Sequence, residues 1–228
     1  MIFPTRDKDV LLSGDRLMKN HSISSILIAL AIVFILPQIT GCQGNKQGAH
    51  KPSAKAELSG KRILMVIAPD KFRDEELFTP REYFLARGAK VEVASSASGE
   101  VRGMLGRTYR PEKKLSEVRA DDYDAIIFVG GVGAQAYYDN PDALKLAKLA
   151  FQKGKVIGAI CLAPGILAKA GVLKGRSATS FRSARKILVE GGARFIEQHC
   201  VRDGKIITAD GPASAKEFAA TIARALVQ

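Results

Sequence analysis

Residues 156–171 read VIGAICLAPGILAKAG, and this stretch decides the fold. Val156 to Ile160 is an unbroken apolar run, which fits a strand buried on both faces better than a half-exposed strand, where polar residues would alternate. Pro164 suits the first turn of a helix because its missing N–H is one that no helix start can satisfy, and Gly171 suits the end of that helix. Cys161 therefore falls in a sharp strand-to-helix turn. Such an elbow needs small residues two before and two after its nucleophile so that strand and helix can cross closely, and Ala159 and Ala163 stand there. A thiol at a helix amino terminus is exposed to free N–H groups and the positive end of the helix dipole. From this the sequence predicts a reactive Cys161 with its pKa lowered from about 8.5.

Working outward, Arg62 to Ala68, Val91 to Ala94 and Ala125 to Val129 are further continuous apolar runs. Between them lie helical stretches from Asp74 to Arg87, from Pro141 to Gln152 and from Pro164 to Ala170, each followed by glycine within two residues. Strand, helix, strand repeated in this way predicts an α/β fold with a doubly wound, mostly parallel sheet and helices on both faces. Phe195 to Val201 and Lys205 to Ala209 flank Arg202-Asp203-Gly204, a hairpin signal. The last helix sets Phe218, Ile222 and Leu226 on one face, with Ser214 and Glu217 spaced as a capping box.

Ligands of such sheets bind beyond the carboxyl ends of the strands, so the residues after each strand are the candidates for chemistry. Beside Cys161 these are Gly130-Gly131, whose backbone can turn an N–H toward a substrate oxygen, and Asp74-Glu75-Glu76. With the N–H of Leu162, an N–H of this glycine pair could form an oxyanion hole. Carboxylates at a helix start commonly serve the dipole, which accounts for two of the three acidic residues. Thr79-Pro80-Arg81-Glu82 is itself a possible helix start, so the boundary of that helix stays open.

The chain has 228 residues, about half as much again as one ordinary domain of about 150. The surplus is at the amino terminus. Residues 22–42 read SISSILIALAIVFILPQITGC, uncharged throughout, with an apolar block from Ile26 to Leu36 that is short for a span of about 30 Å. Arg16, Met18 and Lys19 precede it and small residues follow, the pattern of a secretory signal. Ile39-Thr40-Gly41-Cys42 resembles a bacterial lipobox, which makes residues 1–41 a lipoprotein signal peptide and Cys42 the lipidated residue. Asp7, Asp9 and Asp15 suit such a signal poorly, so Met18 is a second candidate start. Residues 42–60 read as the lipidated Cys and a flexible tether, and 61–228 as the folded domain. The location expected is the cell envelope, anchored to a bacterial membrane and facing the periplasm or the outside.

Lys and Arg number 35 against 23 acidic residues, a formal charge of +12 that stays basic without residues 1–41. Outside the cytoplasm this basic balance does not point to nucleic acid; it fits a solvated surface or attraction to anionic headgroups. No Cys/His cluster has metal-ligand spacing and no phosphate loop of the Walker type occurs, so neither metal nor cofactor is expected.

Residues 159–175 (AICLAPGILAKAGVLKG), 123–131 (YDAIIFVGG) with 137–144 (YYDNPDAL), 63–95 and 203–219 (DGKIITADGPASAKEFA) together resemble the ThiJ/PfpI superfamily, which includes deglycases and intracellular proteases. The resemblance covers essentially all of 61–228 in order. It implies a flavodoxin-like three-layer sandwich related to class I glutamine amidotransferase domains, a homodimer or hexamer, with Cys161 as nucleophile, Glu76 as the carboxylate at its sulfur, and Gly131 and Leu162 as oxyanion donors.

The sequence also departs from that family where mechanism is decided. Protease-like members carry His after the nucleophile, where Leu162 stands, and deglycase-like members carry it on the next strand, where Phe181 stands. Of the His residues, His21 lies in the signal, His50 in the tether and His199 on the hairpin. Without a base beside the thiol, hydrolysis of an unactivated amide is disfavoured. Three functions stay open: thiol chemistry on small electrophiles such as α-oxoaldehydes or glycation adducts, a cysteine peptidase or amidase acting on peptides, and a redox or stress-response module. In the last, Cys161 would cycle through sulfenic acid with Cys200 as resolving partner.

Overall fold

The computed structural model of the protein describes residues 57–228; the signal segment, Cys42 and tether residues 43–56 lie outside the described residues. In chain order the regular elements are β1 (Arg62–Val66), α1 (Asp74–Leu85), β2 (Lys90–Ser95), β3 (Val101–Arg102), β4 (Thr108–Tyr109), β5 (Lys113–Lys114), β6 (Ala125–Phe128), α2 (Pro141–Gln152), β7 (Val156–Ile160), α3 (Pro164–Lys169), β8 (Ser177–Ala178), α4 (Arg185–Glu190), β9 (Arg194–Phe195), β10 (Cys200–Asp203), β11 (Ile206–Ala209) and α5 (Ala215–Val227).

The main sheet runs β10-β11-β7-β6-β1-β2-β5. Every pair is parallel except β10 with β11, the hairpin expected around Gly204. Of the strands predicted from continuous apolar runs, β6 and β7 are buried at every residue and β1 at all but Arg62, whereas β2 is only partly buried at Val91 and Glu92; β11, expected as an arm of the hairpin, is buried throughout. α1 and α5 pack together on one face and α2, α3 and α4 on the other, giving the flavodoxin-like three-layer α/β sandwich. Phe218, Ile222 and Leu226 of α5 are buried as their spacing requires. The strand order reverses between β1 and β6. Sheets of this order bind ligands beyond the carboxyl ends at such a reversal, and the candidate residues follow β1, β6 and β7, which border or adjoin it.

Several local expectations change. Leu58 is fully buried and its N–H bonds the Arg87 carbonyl at 2.9 Å, so the packed chain reaches back into the segment read as tether. Asp74 is no mere dipole partner: its buried carboxylate accepts the N–H groups of Leu105 and Arg107 at 2.8 and 3.0 Å and ties down the β3–β4 turn. The Ser214–Glu217 capping box does not form, because the Ser214 hydroxyl donates to Asp210 instead. Phe195 leaves the hairpin and pairs in β9 with β8. α1 runs straight through Pro80, which has no N–H to give the carbonyl of Glu76 four residues earlier.

Candidate active site at the Cys161 elbow

Cys161 sits between β7 and α3 with φ +62°, a left-handed conformation that costs a non-glycine residue about 1–2 kcal/mol. The strain is held by backbone hydrogen bonds on both sides. The Cys161 N–H donates to the Ala209 carbonyl at the end of β11 at 2.9 Å, and its carbonyl accepts from the Phe181 N–H at 2.8 Å. Ala159 and Ala163 are fully buried where strand and helix cross, as the elbow demands.

Gly130 fills the space between β6 and the elbow. A side-chain carbon there would lie 2.5 Å from Glu76 Oε2, 2.5 Å from the Ile160 carbonyl and 2.6 Å from Cys161 Cβ. Only the missing Cβ lets the carboxyl and the cysteine close on one another over this residue. Gly131 has φ +99°, and its N–H, with that of Leu162, points at the sulfur. The structure thus gathers Glu76, Gly131 and Leu162 around the Cys161 thiol, although they come from α1, the turn after β6 and the elbow itself.

Glu76 is fully buried, and neither of its oxygens makes a well-aligned hydrogen bond; the Cys161 sulfur and the Gly130 N–H are the polar groups beside them. Burial pushes its carboxyl up to about 8, against smaller lowering by Cys161 and the Arg73 charge, so at neutral pH Glu76 holds its proton. The thiol departs from expectation. Burial, then the Glu76 charge, pushes it up to about 12, more than the Gly131 and Leu162 N–H groups pull it down. The expected low-pKa thiolate omitted desolvation: Cys161 keeps 8% of its surface, and α3 begins only at Pro164. The Glu76 contribution vanishes whenever Glu76 is protonated. Glu76 and Cys161 therefore form a pair that is fully protonated at neutral pH and gives up its first proton near pH 8.

Cys200 does not reach the elbow. It pairs with Ala209, which pairs with Ile160, so β11 stands between it and β7. Two strand spacings put the backbones about 10 Å apart, beyond the roughly 7 Å that a disulfide spans. His199 lies in the next row outward, exposed, with Nδ1 2.8 Å from Asp210 Oδ2. Hydrogen bonding to Asp210 holds its pKa above the ordinary imidazole range. Tyr138 went unnoticed in the sequence. Its hydroxyl donates to the Leu162 carbonyl at 2.8 Å and clamps the elbow from the segment that follows Gly131. The only sequence signal for it is the tyrosine pair before the Asn140 cap of α2. Among the described residues no His, Cys, Asp and Glu side chains cluster as metal ligands.

Comparison with known proteins agrees with this architecture. The family model for the DJ-1/PfpI family matches residues 61–225. An uncharacterized protein of Methanocaldococcus jannaschii is 39% identical over 207 residues, 90% of this chain and 96% of its own. A deglycase of Pyrococcus furiosus is 31% identical across 65% of this chain and 90% of its own. A glutathione-independent glyoxalase of Caenorhabditis elegans is 28% identical across 73% and 89%. The crystal structure of a ThiJ/PfpI domain protein from Brachyspira murdochii superposes with a TM-score of 0.71 at 32% identity, over 75% of this chain and 97% of that one.

Proposed function

The chain belongs to the DJ-1/PfpI family, and from that premise we propose that it acts through Cys161 on small reactive carbonyl compounds, α-oxoaldehydes or the glycation adducts they form. The observation that carries this reading is the protonated Glu76 beside an elbow thiol that has no histidine at Leu162 or Phe181. An aldehyde needs no strong base to be attacked. As sulfur bonds to the aldehyde carbon, the thiol proton passes to Glu76 while the Glu76 proton passes to the carbonyl oxygen, giving a neutral hemithioacetal. The N–H groups of Gly131 and Leu162 steady the oxygen while it carries charge. Transfer of the hydrogen from the aldehyde carbon to the neighbouring ketone carbon, while the hydroxyl proton of the hemithioacetal moves to the ketone oxygen, then gives a 2-hydroxy thioester. Water hydrolyses this to a 2-hydroxy acid and frees the thiol. One carbon is oxidised and its neighbour reduced, so no external oxidant enters.

Relatives named deglycase and glyoxalase support this substrate class. Amide hydrolysis would require a base to take the thiol proton and pass it to the leaving amine, and neither Leu162 nor Phe181 supplies one. Disulfide cycling between Cys161 and Cys200 is disfavoured by the intervening β11. We further propose that Cys42 carries the lipid that holds the domain at the cell envelope, and that the domain works as a homodimer or hexamer. The deciding experiment assays the protein and its Cys161→Ser variant against methylglyoxal and against peptide substrates. The reading requires 2-hydroxy acid from methylglyoxal that disappears in the variant; peptide cleavage that disappears in the variant would replace it with an amidase.

A further inference from the structure

A cleft of about 810 Å³ lies beside the elbow rather than on it: Phe181, Phe195, His199, Asp210 and Gly211 line it, and Cys161 and Glu76 do not. Its walls are nevertheless tied to the nucleophile. The two backbone hydrogen bonds of Cys161 go to Ala209 and to Phe181, and the chain continuing from each, through Asp210-Gly211 and through Arg182, forms the cleft. The cleft thus begins one backbone hydrogen bond away from Cys161, on the side of Phe181 and Asp210.

The lining shows what kind of group fits. Phe181 is 48% exposed on the cleft, and Phe195 lines the same cleft with the Arg185 guanidinium 5.1 Å from its ring. The charges balance. Arg182, Arg185 and His199 are matched by Asp210, Glu197 and Glu217, and Arg185–Glu197 and His199–Asp210 are already paired at 2.9 and 2.8 Å. Such a cleft offers apolar, aromatic surface without a net field for an anion.

We infer that this cleft is a subsite for an uncharged aromatic group, so that the preferred substrates are aryl α-oxoaldehydes rather than methylglyoxal. The inference rests on the reading of Cys161 as the reacting thiol. Binding energy from a ring remote from the reacting carbon raises kcat/KM, and a well-filled apolar pocket discriminates by about tenfold or more.

The test uses the full-length protein with phenylglyoxal and methylglyoxal, whose products are mandelate and lactate. The ratio of kcat/KM for the aryl over the methyl substrate is expected to be about tenfold or more, to fall near one in Phe181→Ala, and to be intermediate in Phe181→Leu. The Phe181 bond to Cys161 is made by its backbone, so these variants alter the cleft wall without removing it. In parallel, Cys161→Ser protein titrated with mandelate and with lactate should bind mandelate about tenfold tighter, and should lose that margin when Phe181→Ala is added. A ratio near one in the unmodified protein, or a mandelate margin insensitive to Phe181→Ala, overturns the subsite. Turnover that survives Cys161→Ser overturns the thiol reading instead, and the mandelate margin then decides the cleft by itself.

Discussion

Replacing Glu76 with Gln tests the most consequential electrostatic feature of the site. A buried carboxyl raised from 4.5 to about 8 binds more protons folded than unfolded between those values, so the protein should lose stability as pH rises through that window. The full shift corresponds to about 5 kcal/mol, of which about 1.4 has been lost at pH 5.5 and about 4 at pH 7.5. Gln keeps the shape and a hydrogen-bond donor but does not titrate. Urea unfolding of both proteins at pH 5.5 and 7.5 should therefore show wild type losing about 2.5 kcal/mol relative to Glu76→Gln. Other groups, such as Asp121 and Asp203, which lie below their ordinary range, contribute equally to both proteins and cancel. Below pH 8 the Cys161 thiol stays protonated and adds nothing. A stability difference independent of pH would mean that Glu76 is ionised in the folded state, and the proton shuttle drawn for it would fall with that result.

Tyr138→Phe removes the hydroxyl that clamps the Leu162 carbonyl; it should cost about 1 kcal/mol in urea unfolding and slow iodoacetamide labelling of Cys161 in a Cys200→Ser background, whereas unchanged labelling would reduce Tyr138 to packing. Gly130→Ala drives a methyl against Glu76, the Ile160 carbonyl and Cys161, and is expected to destabilise the fold by about 3 kcal/mol and abolish turnover; a urea midpoint equal to wild type would contradict the crowding described. Cys42→Ala should release the protein from the detergent-extracted membrane fraction or leave the precursor uncleaved, and acyl-free mature protein in the membrane fraction, detected by mass spectrometry, would refute lipid anchoring.

The strands were legible because a parallel strand covered on both faces has to be apolar at every position, and VIGAI and AIIFV are. The elbow was legible because Pro164 and the flanking alanines mark its geometry locally. What could not be read were consequences of long-range packing. The thiol's high pKa comes mainly from burial and from Glu76, which the residues around Cys161 do not encode. Asp74 reaches a turn thirty residues onward, and Ser214 turns from the helix it precedes toward Asp210. Cys200 looked available to Cys161 until strand order put β11 between them. The aromatic cleft joins Phe181 and Phe195 to a hairpin end, and no spacing in the chain announces it.

The outer strands of the sheet bear on how copies of this chain can meet. At one margin β5 is two residues long and both are exposed lysines. At the other, β10 carries exposed Arg202 and half-buried Asp203, whose carboxylate already accepts the Ser177 N–H and the Arg176 guanidinium. Neither margin offers a long uncharged ribbon of free peptide groups on which another strand could zip. Self-association of this protein is thus expected to be by helix and loop faces, with each subunit's sheet ending within itself.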